Sequence, residues 1–257
     1  MRKIVLLAIA SLFFHLCDLT LALGVTHPAT VGQAADSFAM QLHYPQKERA
    51  AGDQAAVKFY CEVSSDGKAG HISTISGKNQ ARFATAVEYA LRHGRLNPAI
   101  VDGKPVTVML GGTVLFLMSN GRPTIAITLA TAEGEKVAAM TNYVQPQMID
   151  TDALFRRKIY SHRDKYHYHN SPNPAAVVRV HVDAQGKPVS KQIESESPPN
   201  GGRGRLLLDV VDEERFIPAQ SNGQPVAGDF ELAVDFEHLR DPDRGPDIGS
   251  LIKKDSY

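Results

Sequence analysis

Apolar and polar residues alternate along several stretches of the chain, and this period of two predicts half-buried β-strands. The clearest stretches are residues 57–63, 125–129, 177–182 and 229–237. In the last of them every second residue is apolar, and most of the residues between are acidic. We therefore expect sheets that have one apolar face and one polar face.

Two other stretches have the helical period instead. Phe83, Val87 and Leu91 recur every four residues within 80–93, so this segment is predicted to form an amphipathic helix. Residues 205–214 carry leucines and valines at helical spacing and predict a shorter helix.

Glycine-containing pairs interrupt the strand after the first predicted helix. Asn120-Gly121 is typical of a tight hairpin, so residues 114–129 are predicted to fold back on themselves. This hairpin either extends the first domain or bridges to the second. Gly111-Gly112, inside the strand, predicts a bulge or a kink.

One sequence frame occurs twice in the chain. Residues 95–106 read RLNPAIVDGKPV and residues 215–226 read RFIPAQSNGQPV, at a separation of 120. A second block, at 57–68 and 177–187, matches at a separation of 119. Each copy has the order strand, turn, strand, helix, turn, strand. We interpret the two copies as an internal duplication.

The first 24 residues differ from the rest of the chain. Arg2 and Lys3 precede an apolar segment, and Ala22 and Gly24 supply small residues before a cleavage site at Val25. This arrangement predicts a secretory signal peptide. The same segment is long enough to span a bilayer, so the alternative is a retained N-terminal anchor.

Composition and charge exclude several classes of protein. The 257 residues include 28 basic and 28 acidic side chains, which argues against binding of nucleic-acid phosphates as the main role. Removing the predicted leader takes away two basic residues and one acidic residue and leaves a charge of about −1. It also leaves Cys61 as the only cysteine, and its alternation with apolar residues predicts burial.

The order of these motifs resembles the C-terminal domain of TonB. Over residues 41–119, Tyr44-Pro45 is followed by a strand, an S-S-D-G-K turn, a helix, the repeated frame and a closing strand. Residues 160–239 carry the pattern more weakly. The residues that carry the resemblance are Tyr44, Pro45, Pro98, Ala99, Gly103 and Pro105 in the first copy and Pro218, Ala219, Gly223 and Pro225 in the second.

The resemblance implies an α+β fold of two small TonB C-terminal-like domains, each a short antiparallel sheet with one packed helix. The predicted order is a signal peptide or anchor at 1–24 and a first domain at 41–130. A linker at 131–159 and a second, divergent domain at 160–240 follow. The last segment, 241–257, is predicted to be a disordered tail because it is polar and rich in Pro and Gly.

The resemblance also implies a non-catalytic binding role in the periplasm. TonB C-terminal domains bind a receptor peptide by adding it to their sheet as a strand. The expected partner is an envelope protein or an outer-membrane receptor peptide, with membrane contact only if residues 1–24 are retained. The implied edge residues are Thr113, Val114, Leu115, Phe116 and Leu117 in the first copy and Phe230, Leu232 and Val234 in the second.

An alternative role is a membrane-anchored energy transducer that couples an inner-membrane motor to outer-membrane receptors. Ser11 and His15 lie four residues apart and would share one helical face, as in TonB anchors. Against it, only about 16 residues separate the leader from the first domain, and they extend at most ~55 Å. The family's usual tryptophan near the helix end is also absent.

A search for catalytic and cofactor-binding motifs finds none, so we expect no catalytic residues and no cofactor. One histidine cluster remains: His162, His167 and His169. His167 and His169 would share a strand face and could bind Zn²⁺ or Cu²⁺. A periplasmic metal-binding protein is therefore a third hypothesis, although no carboxylate or cysteine completes a recognisable ligand spacing.

Overall fold

The computed structural model describes residues 26–131, 142–162 and 174–237, together with Leu239. The predicted leader at 1–24 and the predicted tail at 241–257 lie outside the described residues. Within the described ranges, no helix has both the length and the apolar character needed to cross a membrane. We call residues 26–131 the first unit and the described residues from 142 onward the second unit.

The first unit is built around one antiparallel sheet. Its central strand is β7 (Val108–Ser119), which pairs with β2 (Ala55–Val63). β3 (Ala69–Ser76) pairs with the other side of β2, and the last strand, β8 (Arg122–Thr128), pairs with the C-terminal part of β7. In chain order the elements are β1 (Thr30–Val31), α1 (Phe38–Gln41), α2 (Gln46–Ala51), β2 (Ala55–Val63), β3 (Ala69–Ser76), α3 (Ala81–His93), β4 (Leu96–Asn97), β5 (Ala99–Val101), β6 (Lys104–Val106), β7 (Val108–Ser119) and β8 (Arg122–Thr128).

Helix α3 covers one face of this sheet. Phe59 and Val63 of β2 and Phe83, Val87 and Leu91 of α3 are buried in one core. The alternating pattern and the helical pattern meet there, because each puts its apolar residues on the face that points at the other element. The predicted strand and helix are both confirmed.

Gly111-Gly112 does not interrupt the ladder, since β2 and β7 stay in register along the whole contact. The predicted bulge is therefore wrong. A Cβ on Gly111 would lie 2.6 Å from Cγ2 of Thr131, and a Cβ on Gly112 would lie 2.5 Å from the ring of Phe59. Glycine is required at both positions because a side chain at either would collide with a neighbouring group.

The second unit has a similar sheet of three antiparallel strands, in the order β12 (Pro188–Ser197), β11 (Ala175–Val182), β16 (Gly228–Asp235). Its core holds apolar residues of β11 and β16 and of two helices, α4 (Asp152–His162) and α5 (Arg203–Val211). The elements are β9 (Tyr143–Val144), β10 (Gln147–Met148), α4 (Asp152–His162), β11 (Ala175–Val182), β12 (Pro188–Ser197), α5 (Arg203–Val211), β13 (Phe216–Ile217), β14 (Ala219–Ser221), β15 (Gln224–Val226) and β16 (Gly228–Asp235). Helices packed on antiparallel sheets make the protein α+β, as predicted.

Strand β10 connects the two units. It pairs with β13 of its own unit, and Met148 also pairs with Met109 of β7, so one sheet continues from the first unit into the second. Beside it, the buried side-chain amide of Gln147 binds the backbone of Ala29. Its Oε1 accepts from the Ala29 N–H at 2.7 Å, and its Nε2 donates to the Ala29 carbonyl at 2.8 Å.

The predicted linker at 131–159 is folded where the structure describes it. From residue 142 onward it contains β9, β10 and most of α4, and Met148 and Phe155 are buried in the second core. The prediction was wrong because β9 and β10 have two residues each. A strand of that length has no period that a sequence pattern could reveal.

Candidate partner-binding surface

The docking residues predicted in the first unit lie on a strand that is paired on both sides: Thr113, Val114, Leu115, Phe116 and Leu117. β2 pairs with one side of this segment and β8 with the other. Asn120 and Gly121 have φ angles of 50° and 73°, the left-handed backbone that a tight hairpin requires. This turn folds β8 back onto β7, so the segment is not an edge and that prediction was wrong.

The docking residues predicted in the second unit lie on β16. This strand pairs with β11 on one side, and no strand of the described residues pairs with its other side. Phe230, Leu232 and Val234 are 2%, 4% and 8% exposed, because they face the second core. These side chains hold β16 against the core. A partner at the outer edge would therefore meet the backbone N–H and C=O groups of the strand and not these side chains.

The direction of these backbone groups follows from one hydrogen bond. The N–H of Phe236 donates to the carbonyl of Pro174 at 2.8 Å, in continuation of the ladder between β16 and β11. In an antiparallel ladder, alternate residues bond to the same neighbouring strand. The even-numbered residues of β16 therefore face β11, and the N–H groups that point outward are those of Asp229, Glu231, Ala233 and Asp235.

The polar face of β16 is acidic and in contact with the first unit. Glu231 accepts a hydrogen bond from the hydroxyl of Tyr60, and its Oε1 lies 3.6 Å from Nζ of Lys58. Asp229 lies 2.7 Å from Nδ1 of His181 on the neighbouring strand. The alternation predicted this acidic face, but the contact with β2 could not be read from residues that are 171 positions apart.

The two units pair their strands at matching positions. Val63 pairs with Val108 in the first unit, and Val182 pairs with Gly228 in the second. These pairs differ by 119 and 120 residues, the separations found between the two copies of the sequence frame. The pairs β1–β4 and β10–β13 also correspond, because each places a two-residue strand from the start of its unit beside the strand that precedes the Pro-Ala dipeptide.

The motif residues form the junction between helix and hairpin in each unit. Gly67 and Gly186 have φ angles of 81° and 83°, and a Cβ on either would collide with the carbonyl oxygen of Leu96 or Phe216. Tyr44 packs against Phe83 and Phe116, and Pro45 immediately precedes α2. Pro98, Ala99, Gly103 and Pro105 lie at β5–β6, and Pro218, Ala219, Gly223 and Pro225 lie at β14–β15.

The histidine cluster has one member in the described part of the chain. His162 ends α4, where its Nδ1 lies 2.9 Å from the carbonyl of Lys158 and its Nε2 lies 3.0 Å from Glu213. His167 and His169 lie outside the described residues. Among the residues that are described, no group of three or more His, Cys, Asp or Glu could hold a metal ion.

Two buried carboxylates share one lysine beside α4. Nζ of Lys158 donates to Asp150 at 2.9 Å and to Glu214 at 2.7 Å, and the two carboxylate side chains are 4% and 1% exposed. Burial raises the pKa of Glu214 to about 7, although the hydrogen bond from Lys158 acts in the opposite direction.

Cys61 is buried in the first core, as its position in the alternating strand predicts. Burial raises the pKa of its thiol to about 12, which keeps the thiol protonated and unreactive at neutral pH.

Part of the first unit matches a known protein family. The family described as "Gram-negative bacterial TonB protein C-terminal" matches residues 40–117, the part of the first unit from α1 to near the end of β7. No curated protein matches the chain.

Proposed function

Residues 40–117 are a domain of the TonB C-terminal family, and from this we propose that the protein is a periplasmic, non-catalytic protein that binds an envelope protein or receptor peptide by strand addition. The support for binding is the outer edge of β16, beside which no described strand lies. An edge of this kind has unpaired N–H and C=O groups that an extended segment can bond.

The second unit is, in this proposal, a divergent copy of the same domain. The support is the agreement between strand registers and the two copies of the sequence frame, which share the same separations. The copy begins earlier than residue 160, since β9, β10 and α4 belong to its sheets and core. Likewise, β1 and α1 join the first domain to residues before 41.

The alternative of a membrane-anchored transducer has less support from the fold. His27 exchanges two hydrogen bonds of 2.8 Å with Ile100, so the chain is tied to the first unit almost as soon as its described part begins. An anchor at residues 1–24 would therefore hold the domain close to the membrane surface, with no spacer to cross a periplasm. The mass of the mature N-terminus separates the two: Val25 at the N-terminus excludes the anchor, and Met1 retained in a membrane fraction excludes the cleaved form.

The test of strand addition uses a proline that removes one outward N–H. Ala233 points its N–H away from β11, so Ala233→Pro removes a bond to the partner while it leaves the ladder intact. Ala233→Val is the matched control, because it keeps the N–H. Leu232 is unsuitable for proline since its N–H faces β11.

We expect residues 25–257 to capture a partner from envelope extract, Ala233→Val to keep it, and Ala233→Pro to weaken binding at least about tenfold. In the complex, the amides of Glu231 and Ala233 should become protected from hydrogen exchange. A partner that binds both variants equally would show that β16 is not the docking edge.

A further inference from the structure

We propose that a groove between the two units binds the free C-terminal carboxylate of a peptide, with Arg215 as the ion-pair partner of the carboxylate and an apolar last residue of the peptide packed on the groove walls. None of the described residues that line this groove belongs to β16. The site is therefore additional to the edge proposed for strand addition and does not depend on it.

The repeated sequence frame begins with an arginine in both copies, Arg95 and Arg215. In the first copy this arginine is surrounded by acidic residues. Nη1 of Arg95 donates to the backbone carbonyl of Asp66 at 2.9 Å and lies 3.9 Å from the carboxylate of the same residue. Nε of Arg95 lies 3.7 Å from the carboxylate of Asp36. The first copy thus supplies carboxylates to its own arginine.

The second copy keeps the backbone of this site but not its acids. Gly67 and Gly186 have the same left-handed φ, and each lies against the carbonyl of the residue that follows the arginine. Gln185 precedes Gly186 where Asp66 precedes Gly67, so an uncharged side chain replaces a carboxylate. Among the described residues, no group forms a hydrogen bond or an ion pair with the guanidinium of Arg215. A carboxylate from outside the chain can take the vacant position.

Arg215 lines a groove of about 420 Å³ between the two units, a volume within the range of sites for small ligands. It is the only charged residue among the described residues of the lining. The walls are mainly apolar, with Val101 on the first unit and Ile149, Phe216, Pro218 and Pro225 on the second. A guanidinium can donate two parallel hydrogen bonds to a carboxylate. Apolar walls lower the effective dielectric constant, so this ion pair is stronger there than in open water.

Three neutral polar residues of the lining indicate what the carboxylate is attached to: Thr26, Gln185 and Gln220. Their side chains both donate and accept hydrogen bonds, as the amide groups of a peptide require. A fatty acid has no such group beyond its carboxylate. The end of a peptide has a carboxylate, amides and an apolar side chain, so it matches all three kinds of group in the groove.

The test titrates the protein with acetyl-Ala-Ala-Leu, either with a free C-terminus or as the C-terminal amide. We expect one free-acid peptide to bind per chain, at least about tenfold more tightly than the amide, because hydrogen bonds to a charged acceptor are about twice as strong as those to a neutral one. Backbone amide chemical shifts should change at Gln185, Gly186 and Gln220. They should stay unchanged at Glu231 and Ala233 of β16.

Substitution of Arg215 tests the ion pair directly. Arg215→Gln should abolish the preference for the free acid over the amide. Arg205→Gln is the matched control, because it removes the same charge from an exposed position on α5, outside the groove, and it should leave the preference unchanged.

Substitution of Gln185 tests the comparison of the two copies. Gln185→Asp gives the second copy the acid that the first has at Asp66. This acid should pair with Arg215 and weaken binding of the free-acid peptide about threefold or more. Gln185→Asn is the matched control, because it has the same shape without the charge, and it should bind as the unsubstituted protein does.

Equal affinity for the acid and the amide, or an Arg215→Gln protein that keeps the preference, would overturn the inference. Two further probes test the chain end: hexanoate, and acetyl-Ala-Asp-Leu-amide, whose carboxylate lies on an internal side chain. If either binds as tightly as the free-acid peptide, the groove does not recognise a peptide C-terminus and the inference is wrong. Ala233→Pro should leave the affinity for the free-acid peptide unchanged, so strand addition at β16 stands or fails separately.

Discussion

Asp150, Glu214 and Lys158 form the most unusual group of charges in the described part of the protein. Two carboxylates and one ammonium group leave an excess negative charge in the interior, where charge is costly unless it is paired. A proton on Glu214 removes that excess. This explains why the pKa of Glu214 rises to about 7, and it connects the stability of the second unit to pH.

We expect Glu214→Gln to remove part of the pH dependence of stability. The pKa of Glu214 is higher in the folded protein than its ordinary value of 4.5, so the folded state binds the proton more tightly. The resulting stabilisation is complete below about pH 4.5 and is lost as pH rises through 7. Between pH 5 and 8 the free energy of unfolding of the unsubstituted protein should fall by roughly 1–3 kcal/mol more than that of Glu214→Gln. Urea unfolding at each pH measures both. Parallel curves for the two proteins would contradict this.

At the scale of elements, alternation predicted the strands that have one buried face, and it failed elsewhere for identifiable reasons. β2, β11 and β16 follow the alternating pattern because one face of each is buried in a hydrophobic core and the other is more exposed. Asn120-Gly121 predicts the hairpin that brings β8 back, but it does not indicate which edge of β7 the hairpin covers. Strand pairing depends on which side of β7 the hairpin turns towards, and a single sequence does not specify that side.

Gly112→Ala tests the crowding around β7. A methyl group there would lie 2.5 Å from the ring of Phe59 and 2.7 Å from the carbonyl oxygen of Thr128. We expect a loss of about 1–3 kcal/mol in the free energy of unfolding, as is usual for an overpacked site. Gly70→Ala on β3 is the matched control, because nothing lies within 4 Å of its Cβ position. It should be neutral or stabilising by less than about 1 kcal/mol. Equal losses in both variants would mean that flexibility, and not crowding, selects glycine.

At the scale of the whole molecule, the sequence predicted two similar units but not how they join. The repeated frame is a local signal, so it can be recognised without knowledge of the contacts around it. The connection includes instead the contact of Gln147, a polar residue inside a segment that has no recognisable period. Its two hydrogen bonds reach a backbone group 118 residues away, and spacing in the sequence carries no information about such a contact.

Gln147→Ala should therefore lower the free energy of unfolding more than a typical surface substitution does. The buried N–H and carbonyl of Ala29 would lose their partners, and an unsatisfied buried group costs about 1–3 kcal/mol. We expect a loss of about 2–4 kcal/mol in urea unfolding. Gln33→Ala is the control, because Gln33 is exposed, and it should change stability by less than about 0.5 kcal/mol. A loss below 1 kcal/mol for Gln147→Ala would show that the two units do not depend on this contact.

The position of β10 also indicates where a further unit could pair with the second one. This short strand, near the start of the second unit, pairs with the long strand β7 of the first unit at Met109. On the proposed equivalence of the units, Asp229 of β16 is the same position one unit later. A further copy could add its own first strand there without any change to the two already present. Among the described residues no strand pairs with the outer side of that position, so the pairing scheme leaves it open to a further unit.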